Sequence, residues 1–198
     1  SKATKLLDNK NGFFMLVEGG KIDWASHAND AATSVHEVLA FDRAIQVAVD
    51  FYKKRPKETL IVVTSDHETG GLGLGNRHLR YRIAPAELKR QRKSYEFFSE
   101  EFRKYVENKK SGHKFTDIHE LIQNTFGIVS PNSTTKGNFN KATTEEWTYV
   151  RAQFLAGIRW VRGKQSPSAA FGAYNPLRVA LSQIVDARSG VGFTTYAH

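Results

Sequence analysis

Two continuous apolar runs flank one amphipathic helical pattern, and this arrangement restricts the fold more than any other feature of the 198-residue chain. Phe13-Phe14-Met15-Leu16-Val17 follows Asn11-Gly12, and Leu60-Ile61-Val62-Val63-Thr64 follows Arg55-Pro56-Lys57; both read as strands buried on two faces. Between them Val35, Val38, Leu39, Ile45, Ala48, Val49 and Tyr52 recur at helical spacing. Asn29 or Asp30 caps the front of this helix, and Lys53, Lys54 and Arg55 complement the dipole at its end. Strand, helix and strand over about fifty residues predict a right-handed βαβ unit with its strands parallel in one sheet, and therefore an α/β fold.

From about Arg80 the pattern changes to helices separated by polar loops. One helix is expected from about Ala86 to Lys109, with Tyr95, Phe98, Phe102 and Tyr105 or Val106 on one face. A shorter one, capped by Thr116 or Asp117, carries Ile118, Leu121, Ile122 and Phe126 and stops at Gly127. Thr143-Thr144-Glu145-Glu146 is a capping-box pattern, and Asn175-Pro176 opens a last helix closed by Gly190. The tail from Val191 to Tyr196 has strand character and delivers His198. The expected organisation is an α/β segment over 1–79, a helical basic insert over 80–176 and a return to the α/β core over 177–198. Residues 75–115 hold 12 basic and 5 acidic side chains. Arg77, Arg80, Arg82, Lys89, Arg90, Arg92 and Lys93 form a patch suited to nucleic acid, an anionic surface or a phosphate-bearing substrate, or simply a solvated helix face.

Composition closes several routes. There is no cysteine, so disulfides, zinc fingers and thiol nucleophiles are excluded, and any metal must be held by His, Asp and Glu. No window reaches the roughly 18 apolar residues of a membrane span. Ser1 to Asn11 lacks an apolar signal region, so a secretory signal is expected to be absent or removed.

The chemistry concentrates at two strand ends. Glu18, Asp23 and His27 come in a loop after the first apolar run, and Ser65-Asp66-His67-Glu68 after the second. In an open α/β sheet such loops form the ligand crevice at one rim. Carboxylate with imidazole suits zinc, and carboxylate alone suits magnesium. Asp66-His67 directly after an apolar run places charge at a buried edge, which is costly unless a metal or cation meets it. Gly70 to Gly75 lacks the spacing of a dinucleotide fingerprint and reads as a turn beside the site.

These residues carry a resemblance. Val17-Glu18-Gly19-Gly20, Ile22-Asp23, His27, Asp42-Arg43-Ala44-Ile45 and Thr64-Ser65-Asp66-His67 resemble the alkaline phosphatases over about residues 13–75, and the likeness resumes over roughly 177–198. The resemblance implies a sandwich whose central, mostly parallel sheet is flanked by helices, incomplete in this chain, with two zinc ions and one magnesium per site. It would give Asp23, His27 and His198 to the zinc that activates water, Asp66 and His67 to the other zinc, and Glu18 to magnesium. Trp24 would shape the phosphate or magnesium side, or serve as a structural aromatic. The reaction implied is in-line transfer from phosphomonoesters.

The chain departs from the family pattern in lacking the Asp-Ser-Ala motif of the nucleophilic serine, the upstream Asp and Thr magnesium ligands, and an arginine assignable as the phosphate clamp. The expectation is a C-terminal half, inactive alone, partnered by a missing N-terminal half, homodimeric when complete, and periplasmic or secreted. In this family helical inserts act as lids or dimer contacts. A phosphodiesterase or phosphomutase of the same superfamily, or a basic nucleic-acid-binding module, is the alternative.

Overall fold

The computed structural model describes residues 2–75, 79, 82–164 and 173–196. Arg77, Arg80 and His198, singled out above, lie outside the described residues. Seven α-helices and four two-residue strands are described: α1 Lys2–Leu7, α2 Gly20–His27, α3 Ala31–Lys54, α4 Tyr95–Asn108, α5 His119–Phe126, α6 Thr144–Val161, α7 Pro176–Ser189, β1 Gly73–Leu74, β2 Ile128–Val129, β3 Asn140–Lys141 and β4 Val191–Gly192.

The expected central sheet is not formed among the described residues. Neither 13–17 nor 60–64 is hydrogen-bonded into a strand. Their side chains are exposed rather than buried on two faces: Phe14 is 87% exposed, Leu16 79%, Leu60 87% and Val62 74%. A strand exists only where neighbours close its backbone hydrogen bonds, and no described segment supplies them. The strands present make two small ladders, β1 with β4 antiparallel and β2 with β3 parallel.

Helices follow their sequence signals more closely, since a helix closes its own backbone bonds. Asp30 caps α3, accepting from the Thr33 amide at 3.0 Å. Thr143 and Glu146 form the reciprocal capping box of α6, at 3.1 and 2.8 Å. Asn175 caps α7 through the Leu177 amide at 3.0 Å with Pro176 in the first turn, and Gly190 ends it at φ 77°. Three expectations shift. Thr116 and Asp117, expected to cap the shorter helix, lie inside a 3₁₀ segment, Phe115–Ile118, and α5 begins at His119 without a side-chain cap. The helix expected over 86–109 divides into a 3₁₀ segment, Pro85–Arg90, and α4, which Ser94 caps. The stretch after Val17, expected as a loop, is α2 from Gly20 onward.

The core lies among the later helices. Phe98 and Phe102 of α4, Ile122 and Phe126 of α5, Val150 and Phe154 of α6, and Leu177 and Leu181 of α7 are buried together. The rings of Phe98 and Phe126 meet edge to face at 5.2 Å, and those of Phe102 and Phe154 at 6.1 Å. Ala31 and Ala32, at the start of α3, belong to the same cluster. The front of the α2–α3 hairpin is thereby anchored on the core, while the rest of α3 exposes Val35, Val38, Leu39, Val47 and Tyr52.

Candidate metal centre

Because residues 20–27 are helical, Asp23 and His27 stand at i and i+4 on one face of α2. Their Oδ1 and Nε2 atoms are 3.3 Å apart. The His27 ring is oriented from its other side, where Nδ1 donates to the Tyr196 carbonyl at 3.2 Å. In the neutral imidazole that bond leaves Nε2, the nitrogen facing Asp23, with the ligating lone pair.

The second loop approaches through Thr69. Its hydroxyl donates to Asp23 Oδ1 at 2.9 Å and lies 3.2 Å from His67 Nδ1. His67 Nδ1 also contacts the Glu68 carbonyl at 2.7 Å, and Nε2 is 3.6 Å from Asp66 Oδ2. The hydrogen bond to the Glu68 carbonyl raises the His67 pKa above the ordinary 6.5, against an opposing desolvation and with smaller help from the Asp66 and Asp23 carboxylates. Gly70 and Gly71 turn the chain directly afterward at φ 73° and 62°, and a Cβ on Gly71 would lie 1.8 Å from Thr194 Oγ1. That approach lets the Gly70 carbonyl accept from the Thr194 and Thr195 amides at 3.0 and 3.3 Å, tying the tail to the loop.

Asp23 and His27 stand close enough to share one ion. A tetrahedral zinc with ligand bonds of about 2.0–2.2 Å puts adjacent ligand atoms about 3.3 Å apart, the separation seen between Asp23 and His27. Among the described residues no three His, Asp or Glu side chains form a metal cage. The structure instead links Asp23 and His27 to Asp66 and His67 through Thr69. Glu18 is exposed ahead of α2. Trp24 is 56% exposed, with the Lys21 ammonium 4.2 Å from its ring centre. Sequence reasoning missed Thr69 and the Tyr196 carbonyl. A hydroxyl two residues after His67 was a visible signal for the first, whereas a backbone carbonyl carries none.

The basic stretch has internal uses. Arg90 pairs with Glu87 at 2.8 Å, Arg92 stacks over Phe139 and Lys93 over Phe97. Among the described residues, no helix is long and apolar enough to cross a membrane.

A family model described as alkaline phosphatase matches residues 1–147. The repressible alkaline phosphatase of Saccharomyces cerevisiae is 39% identical over 134 residues, covering 64% of this chain and 24% of that protein. Alkaline phosphatase 3 of Bacillus subtilis is 32% identical over 156 residues, covering 73% of this chain and 33% of that protein. Among solved structures, a cold-active alkaline phosphatase from a psychrophilic Shewanella aligns with TM-score 0.68 and 28% identity, over 96% of this chain and 38% of that one. The likeness supports the α/β class, and the chain spans about a quarter to two fifths of the length of these relatives.

Proposed function

The chain belongs to the alkaline phosphatase family, and on that premise we propose that it is the metal-holding part of a phosphomonoester hydrolase. The observation that carries the reading is the Asp23–Thr69–His67 link, which joins two motif loops more than forty residues apart at hydrogen-bond distance. In this reading Asp23, His27 and His198 hold one zinc, Asp66 and His67 contribute to a second, and Glu18 holds magnesium. Bound there, the ions would neutralise charge on the transferring phosphoryl group and lower the pKa of a bound water toward 7.

The chain's own residues orient and tune. The Tyr196 carbonyl orients the His27 ring through Nδ1. Thr69 donates to Asp23 Oδ1 and so sets which carboxylate lone pairs remain for a metal. Trp24, exposed beside Asp23, borders the space a phosphoryl group would enter. The nucleophilic serine is to come from residues outside this chain, with the whole enzyme homodimeric and periplasmic or secreted, and this chain inactive alone.

The test is zinc and magnesium content by elemental mass spectrometry after loading and removal of excess ion, on the chain and on Asp66→Ala and Asp23→Ala. Retained zinc near stoichiometry that falls in both variants supports the reading. Equal retention in all three, or affinity for DNA without retained zinc, would replace it with the basic binding module.

A further inference from the structure

Among the described residues Arg178 is the largest side chain buried to this degree, 1% exposed, in a helix that also buries Ser182, Asp186 and Ser189. Its Nη1 donates to the Ala28 carbonyl, 150 residues earlier in sequence. Its Nε and Nη2 have no hydrogen-bond partner among the described residues. The guanidinium carbon sits 4.4 Å from the Tyr174 ring centre and 5.3 Å from that of Tyr95, and Tyr174 in turn meets Tyr196 at 5.7 Å. A buried cation with two unmade hydrogen bonds is an expensive way to fill space, and an apolar side chain of that volume would fill it at lower cost. What it does make is a charge-assisted bond to the residue after His27, in the electrostatic field of Asp30 and Asp186 and beside an aromatic group that includes Tyr196.

The geometry around it is a grip on the α2–α3 turn. Asp30 stands two residues beyond Ala28 and accepts from Thr33 N, Thr33 Oγ1, Gln91 Nε2 and Tyr95 N at 2.7–3.0 Å. Asn29 takes φ 51°, a left-handed backbone unusual for a residue other than glycine. Two turns along α7 from Arg178, the buried Asp186 carboxylate accepts from the Ala31 backbone. One face of α7 therefore holds the turn at residues 28 and 31 through two buried polar side chains. His27 is fixed at its backbone through Ala28 and at its ring through the carbonyl of Tyr196.

We propose that Arg178 is a positioning residue for the His27–Asp23 pair, holding the α2–α3 turn so that the His27 ring keeps its Nδ1–H on Tyr196 and its Nε2 toward Asp23. This rests on the metal-centre reading above only for its consequence on zinc; the positioning itself is a property of the metal-free chain. Partners that orient a ligating histidine are worth about 10–100-fold in metal affinity.

The test compares the chain with Arg178→Met and Arg178→Lys. In metal-free protein, ring 15N shifts report the His27 tautomer and amide exchange reports the turn; zinc affinity is then read by competition with a chelator. In Arg178→Met the expected outcome is a folded protein with a lowered Tm, altered His27 ring 15N shifts, faster exchange at Asn29 and Asp30 than elsewhere, and zinc affinity lower by about tenfold or more. Arg178→Lys, which keeps a donor and the charge, recovers part of each. A folded Arg178→Met with His27 and the turn unaltered overturns the proposal. If that variant does not fold, Arg178→Lys decides by the same readouts: a loosened turn and mixed tautomer support it, unaltered ones overturn it. If the parent chain holds no zinc, the metal-centre reading fails while tautomer and exchange still judge Arg178.

Discussion

Residues 13–75 and residues 95–191 are comparably rich in apolar side chains, yet they meet opposite fates. In the later region most large apolar groups of α4 to α7 are buried against one another, Phe97, Tyr149 and Leu155 being the exposed ones among the described residues. In the earlier one Phe14, Leu16, Leu60, Val62 and much of one side of α3 are exposed. The difference is one of partners. An amphipathic helix needs only another apolar stripe beside it, and α6 and α7 supply each other's. A run patterned as a two-faced strand needs lateral neighbours for its backbone and layers on both faces, and the described residues offer neither. The candidate metal centre sits at the junction, where the exposed region is anchored to the buried one through Asp30, Arg178 and the tail.

The sharpest test of the comparison is paired truncation. Phe102→Ala, removing a fully buried ring, is expected to cost about 3–5 kcal/mol in chemical denaturation. Leu60→Ala, at an exposed position, is expected to fall within about 0.5 kcal/mol of the parent. Comparable losses would mean that 60–64 is buried in solution, and the contrast would break.

At the junction, Gly71→Ala must accept a positive φ and displace Thr194. A loss of about 1–3 kcal/mol is expected, with exchange at the Thr194 amide rising first because it bonds the Gly70 carbonyl. Unchanged Thr194 protection would separate the tail from the loop.

Thr69→Val keeps the shape and removes the bond to Asp23. Zinc affinity is expected to fall about tenfold with stability nearly unchanged, as measured by chelator competition beside a melt. Thr143→Ala, which opens the capping box of α6, does the reverse: about 1 kcal/mol of stability is lost with zinc affinity intact.

The smallest effect concerns His67. Its raised pKa gives the folded state stability that is fully present below the ordinary imidazole value and is lost as pH rises through the folded one. Being solvent-exposed, it contributes little energy but a measurable midpoint. An NMR titration of the metal-free chain should place it above 6.5, and Asp66→Asn should lower it.

Much of the local structure was legible in the sequence. Caps and stops at Asp30, Thr143, Asn175-Pro176, Gly127 and Gly190 fell where their side chains and conformational freedom require. The motif residues Asp23, His27, Asp66 and His67 stood out by their type and order, but the buried edge expected at Asp66 is not formed, its side chain being 91% exposed. Less was legible where two signals competed. Glu18 to His27 carries glycines that suggested a loop, yet Ile22, Ala25 and Ser26 pack one side of a short helix, with Ala25 and Ser26 buried.

By itself, the sequence determined most helix faces and several of their ends, the absence of thiol chemistry and the residue types that could hold a metal. Each of these depends on neighbours within a few positions or on composition alone. The tertiary structure decided that two strand-like runs stay unpaired among the described residues, that Thr69 meets Asp23, and that a polar position on α7 reaches Ala28. Periodicity says which face of an element seeks burial; only the packed chain says what that face meets, because hydrogen bonds across 46 or 150 residues leave no trace in local pattern.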